Sequence, residues 1–118
     1  MKKIYYLSTC NTCMRIIDEL GLTDDFMLQD IKTEVITEAQ VKEMRSLTDS
    51  YESLFSKRAR LYKELDLKNK SLSEDDYKNY ILEHYTFLKR PVICYNNQIF
   101  IGNSKKTVEA AKQAIHEQ

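Results

Sequence analysis

Lys3-Ile4-Tyr5-Tyr6-Leu7-Ser8-Thr9-Cys10-Asn11-Thr12-Cys13-Met14-Arg15-Ile16-Ile17-Asp18-Glu19-Leu20-Gly21 is the stretch that decides how this chain folds. Lys3 to Leu7 is short, apolar and aromatic, the composition of a buried strand. The polar run Ser8-Thr9-Cys10-Asn11 breaks it as a turn. Met14, Ile16, Ile17 and Leu20 then recur at helical spacing, and Gly21 stands where a left-handed residue closes a helix. Phe26-Met27-Leu28, ahead of Gln29-Asp30, reads as a second strand. A strand, a helix and a strand in this order imply two parallel strands joined by a right-handed crossover.

Working outward, the middle of the chain is helical and charged. Thr37-Glu38-Ala39-Gln40 has the form of a capping box, with Val41 and Met44 on one face of the helix it opens. Tyr51 to Phe55 and Leu61 to Leu65 read as short helices on either side of Ser56-Lys57-Arg58-Ala59-Arg60. Ser73 and Asp76 begin another helix, whose inner face carries Tyr77, Tyr80, Ile81 and His84. Pro91 to Tyr95 returns to β-branched, apolar character. Asn96-Asn97 is a tight-turn dipeptide, and Gln98 to Ile101 is the return strand of a hairpin. Gly102 ends that strand. Ser104 caps a last helix with Val108, Ala111, Ala114 and Ile115 turned inward. The order is β-α-β, helices, β-β-α. It predicts an α/β fold with a mixed four-stranded sheet and a helical insertion, about residues 37–85, between the two halves of one domain spanning 1–118.

Composition narrows the function. The 118 residues carry 18 basic and 18 acidic side chains, and this zero net charge argues against direct, sequence-independent binding to nucleic acid. Twelve aromatic residues (eight Tyr, four Phe) suffice for a core without a disulfide or a metal. The apolar runs are too short to span a membrane, and the N-terminus lacks the apolar stretch of a secretory signal, so the expectation is a cytoplasmic monomer. Three cysteines in a reducing compartment do not make a disulfide framework.

Chemistry points to Cys10-Asn11-Thr12-Cys13 at the strand-to-helix turn. A thiol there faces unpaired N–H groups and the positive end of the helix dipole, which favour thiolate, the nucleophilic form. Cys10 is the expected nucleophile and Cys13 the resolving thiol. Half a zinc site or two inert cysteines are the alternatives; zinc would want a second ligand pair, and His84 and His116 do not have that spacing. Arg90-Pro91 is the second signal. Pro91, the one proline of the chain, can simply start a strand. By analogy with folds of this order, a cis-proline there faces the reactive cysteine and brings Arg90 into the same cleft, where a guanidinium can bind an oxyanion or lower a thiol pKa. Lys57-Arg58-Ala59-Arg60 and Lys105-Lys106 read as solvated charge, Cys94 as core, His84 as a hydrogen-bonded core or edge residue, and Tyr77, Tyr80 and Tyr85 as packing.

Taken in order along the chain, four pieces resemble the arsenate reductase (ArsC)/Spx family, a thioredoxin-like group with a helical insertion. They are Ile4-Tyr5-Tyr6 with Cys10-Asn11-Thr12-Cys13; Leu54-Phe55-Ser56-Lys57-Arg58 leading to Tyr62-Lys63-Glu64-Leu65; Glu83-His84 through Leu88-Lys89-Arg90-Pro91-Val92-Ile93; and Ile101-Gly102-Asn103-Ser104. Leu88 to Ile93 is the most specific. The resemblance implies a thioredoxin-like sheet and a thiol-dependent oxidoreductase acting on a small oxyanion. In it Cys10 attacks, Arg90 and Arg58 (with Arg60 a rival) bind the anion, and Asn11, Thr12 and Pro91 line the substrate. It implies no prosthetic cofactor, with glutathione, a glutaredoxin or a thioredoxin as reductant. Three departures stand out: Gly102 occupies the place of a third arginine of the glutaredoxin-linked reductases, Met14 stands where the family usually has a basic residue, and Cys13 stands where those enzymes have serine. The Cys-x-x-Cys form is shared with the Spx regulators, so the alternative implied is a redox-sensing regulator binding the C-terminal domain of the RNA polymerase α-subunit.

Overall fold

A computed structural model describes residues 1–117 and divides the chain into two compact units, Met1–Val35 with Arg90–Gln118, and Ile36–Lys89.

The first unit is built on a four-stranded sheet. Strand β1 (Lys2–Tyr6), helix α1 (Asn11–Leu20) and strand β2 (Met27–Asp30) form the opening crossover. After the second unit, strands β3 (Val92–Tyr95) and β4 (Gln98–Ile101) form the hairpin and α5 (Lys105–His116) closes the chain. Strand order is β2-β1-β3-β4. β1 and β2 run parallel, with Tyr6 against Asp30, while β1–β3 and β3–β4 are antiparallel, with Tyr5 against Val92 and Val92 against Ile101. The mixed sheet is the predicted one. The hairpin turn holds because Asn96 adopts φ +56°, a left-handed conformation that asparagine tolerates.

Ile4 and Ile93 project from the sheet into a core shared with Ile16 and Leu20 of α1 and Val108, Ala111 and Ile115 of α5. These are positions that helical spacing selected; of the others it selected, Ile17 and Ala114 are half-buried and Met14 is exposed. Met14 is 42% exposed, because α1 turns Cys13, Ile16 and Leu20 inward and a residue one step past Cys13 falls on the solvent side. The C-terminus of α1 ends as predicted, with Gly21 at φ +60° and its N–H on the carbonyl of Asp18. β2 is an edge strand. Only Gln29 of its four residues is buried, with its side-chain amide donating to the carbonyl of Glu34 at 3.0 Å.

The second unit, Ile36–Lys89, is helical. α2 (Glu38–Ser46) begins with the expected capping box, Thr37 with Gln40, and α4 (Glu74–Glu83) begins where expected, with Ser73 and Asp76 forming a second one. Between them lie a 3₁₀ turn at Glu52–Leu54, where the sequence suggested a short helix, then α3 (Arg60–Glu64) and a second 3₁₀ turn at Leu67–Asn69. Phe55 is the hub: its ring meets Tyr62, Tyr77, Tyr80 and Phe87 at centroid distances of 6.0, 4.9, 6.4 and 5.2 Å. The tyrosine stripe is thus packing, apart from Tyr85, which stacks on His84 at 4.5 Å. His84 itself departs from expectation. The helical period placed it on the inner face of α4, but α4 stops at Glu83, and His84 is exposed beyond it, with its Nδ1 accepting from the N–H of Thr86 at 3.1 Å to start a 3₁₀ turn. No helix among the described residues is long and apolar enough to cross a membrane.

Candidate active site

The carboxyl ends of β1 and β2 and the start of β3 lie at one edge of the sheet, and the site is assembled there. β1 stops at Tyr6, and the chain leaves the sheet through Leu7, Ser8 and Thr9. A turn closed by the Cys10 N–H on the Leu7 carbonyl (3.0 Å) delivers Cys10 to the N-cap of α1, and its own carbonyl accepts the first helical bond from Met14 at 3.1 Å. Asn11 and Thr12 are the first two helical residues, Asn11 exposed and Thr12 half-buried, and Cys13 is the third, fully buried.

From the other side, the antiparallel register of β1 with β3 carries Pro91 and Arg90 back toward the end of β1. The Arg90–Pro91 peptide bond is cis, as the fold analogy anticipated, and Pro91 is buried. The Pro91 carbonyl accepts from the N–H of Gly102 at 2.9 Å, and Gly102 sits at φ +94° just past β4. Gly102 therefore closes the same edge of the sheet.

The two thiols are driven apart. Partial burial pushes the Cys10 thiol up, but the Cys13 N–H, the Cys13 thiol, the Thr12 N–H and the Arg90 guanidinium together more than offset it, so the group titrates below its ordinary 9.0. Burial pushes Cys13 up, reinforced by the hydrogen bond to Cys10 and by its charge, to about 11. Cys10 is the more readily ionised of the two, and the Cys13 thiol donates a hydrogen bond to it. Both, with Cys94, are free cysteines, and Cys94 is wholly buried on β3 as its apolar surroundings implied.

Cys10, Asn11, Thr12, Cys13, Arg90 and Pro91 thus share one unit and one edge of its sheet. Arg58 belongs to the other unit, on the turn before α3, and is exposed. Its rival Arg60 is engaged by Glu64 on the next helical turn, Nε to Oε1 3.1 Å, and Lys57 by Glu52 at 2.6 Å. Arg58 makes no such pair among the described residues. The sequence reading passed over Ser8 and Asp30, which are joined here by a side-chain hydrogen bond. No cluster of three or more metal-ligating side chains occurs among the described residues.

A mixed four-stranded sheet with a Cys-x-x-Cys at the first strand-to-helix turn and a cis-proline across from it defines a thioredoxin-like protein. The profile of the ArsC family matches residues 5–111, and the chain belongs to that family. Solved structures agree on the fold. An arsenate reductase from Vibrio cholerae superposes with a TM-score of 0.77 at 20% identity, covering 93% of this chain and 96% of that one. A protein from Staphylococcus aureus gives 0.72 at 28% identity, covering 93% and 97%. An arsenate reductase (ArsC) related protein from Brucella melitensis gives 0.69 at 18% identity, covering 92% of each. No curated sequence matches this chain.

Proposed function

We propose that this protein is a thiol-dependent oxidoreductase that reduces a small oxyanion, with arsenate as the substrate to try first. The observation that carries the reading is Cys10: an N-cap thiol titrating below 9.0 that shares its electrostatic environment with Arg90. The arsenate reductase relatives support the choice of substrate.

The chemistry follows from the two unequal thiols. The Cys10 thiolate attacks arsenic(V), a sulfur–arsenic bond forms, and one arsenate oxygen departs as water after protonation. Arg90 offsets the oxyanion's charge as the bond forms. Cys13 resolves the adduct. Part of what holds it near 11 is the negative charge on Cys10, and that charge disappears once Cys10 is bonded to arsenic. Cys13 can then lose its proton to the departing oxyanion and attack the Cys10 sulfur. The S–S bond forms as the S–As bond breaks, its electron pair leaves with arsenic, and arsenite is released. Two thiols have become one disulfide while arsenic(V) has become arsenic(III), so the step balances. An external thiol, from glutathione, a glutaredoxin or a thioredoxin, then reduces the disulfide.

The test is arsenite formation from arsenate with glutathione and glutaredoxin. Cys10→Ser is expected to abolish turnover, and Arg90→Ala to lower kcat/KM by about 10²–10³-fold, as for loss of one charge-stabilising donor. Arg58→Ala, run beside them, reads whether the second arginine of the resemblance contributes. Wild-type activity in Cys10→Ser would overturn the proposal. No turnover with a rapidly alkylating Cys10 would overturn arsenate as substrate and send the dithiol to the polymerase α-subunit as a sensor.

A further inference from the structure

We propose that Asp30 is a positioning residue for Cys10: its carboxylate pins the Ser8–Thr9 turn that presents the thiol at the N-terminus of α1. The inference rests on Cys10 being the reactive group.

The chain between the end of β1 and the Cys10 N-cap is three residues long. Leu7 is buried and fixed by packing, whereas Ser8 and Thr9 are exposed. Ser8 is tied to Asp30 through its Oγ, which donates to Asp30 Oδ2, and through its backbone N–H, which also donates to the carboxylate. Asp30 is well placed to act as a fixed post. The parallel register sets it against Tyr6 at the end of β1, and the Ile31 N–H donates to the Tyr6 carbonyl at 2.9 Å. Its carbonyl accepts from Thr33 and Glu34 at 3.2 and 2.8 Å, and its other carboxylate oxygen accepts from the Lys32 N–H at 3.2 Å. Asp30 is held on its own side by a tight turn and reaches across to the turn that aims Cys10.

Orientation matters at Cys10 because the donors that favour its thiolate are the N–H groups of Thr12 and Cys13. Hydrogen bonds weaken steeply as the angle at hydrogen closes, so a loosened Ser8–Thr9 turn weakens both. Asp30 is also negative, and pure electrostatics would act in the opposite sense: removing its charge would favour the thiolate. Positioning and charge therefore predict shifts of opposite sign.

The experiment is the pH dependence of iodoacetamide alkylation at Cys10, with Cys10→Ser to identify the signal and circular dichroism to establish folding. In the wild type the midpoint is expected below 9.0. Asp30→Ala should raise it, slowing the rate at pH 7 by up to about tenfold for one pH unit. Asp30→Asn, whose amide oxygen can still accept from Ser8 but which has lost the charge, should leave the midpoint at or below that of the wild type. Ser8→Ala, at an exposed position, removes the hydroxyl bond and leaves the backbone one, so it should raise the midpoint in the same direction by less, and it carries the test should Asp30→Ala fail to fold. A midpoint in Asp30→Ala and Ser8→Ala that is unchanged or lowered would overturn the proposal. A wild-type midpoint at or above 9.0 would instead overturn the reading of Cys10 itself.

Discussion

Partial burial works against a thiolate at Cys10, and the N–H groups of Thr12 and Cys13, the Cys13 thiol and Arg90 work for it. At Cys13, three residues on, burial prevails and the thiol stays protonated to about pH 11. Reactivity should therefore divide sharply. At pH 7, iodoacetamide followed by peptide mapping is expected to label Cys10 alone of the three cysteines, and Cys13 and Cys94 only once the chain is denatured. Because the Cys10 pKa is lowered, its rate should rise with pH and level off before a free cysteine would. Rapid labelling of Cys13 at neutral pH would contradict the assignment of roles. Much of this was legible in the residues themselves. Cys-x-x-Cys before an amphipathic helix names the thiols, and a lone proline before a β-branched strand names Pro91 and Arg90. Asp30 was not legible, because its role depends on the register of β1 with β2, and sequence alone does not fix register.

The elements that build the site meet at the carboxyl ends of two parallel strands, the usual place for chemistry in an α/β sheet. Local signals found the elements of both units: the Gly21 cap, the Thr37 capping box, the Ser73 helix start, the Asn96 turn and the Ser104 cap all lie where they were expected. The errors have local causes too. Periodicity carried the α4 face one residue too far, and His84 became the cap of the following turn. Met14 matched the helical spacing but lies one step off the buried stripe. Gly102 is the element-scale test. It stands where glutaredoxin-linked relatives are expected to carry an arginine, it is bonded to Pro91, and its φ of +94° disfavours any side chain although no atom would crowd a Cβ. Gly102→Arg should thus cost about 1–2 kcal/mol of stability from backbone strain. If a guanidinium beside Arg90 is what the site lacks, the same change should lower KM for arsenate. Thermal unfolding and steady-state kinetics read the two effects separately, and an unchanged Tm would contradict the strain argument.

At the scale of the whole chain, each unit carries its own core. Ile4, Ile93 and the inner faces of α1 and α5 fill the first, and the aromatic cluster around Phe55 fills the second. Phe55 is 1% exposed, so Phe55→Ala should destabilise its unit by about 3–5 kcal/mol through lost burial and a residual cavity. Hydrogen exchange should show the loss within Ile36–Lys89, and protection in that unit equal to wild type would contradict it. The order of elements along the chain and the placing of the helical stretch followed from the alternation of apolar segments and turn residues; the strand order β2-β1-β3-β4 was read from the structure.

The central claim is that Cys10 and Cys13 act as a two-electron pair. Reduced protein should be mixed with arsenate without any other thiol, then acid-quenched and mapped by mass spectrometry. About one arsenite should be released per chain and a disulfide should join Cys10 to Cys13, with neither formed in Cys10→Ser. Arsenite release with both cysteines still reduced, or a disulfide involving Cys94, would contradict it.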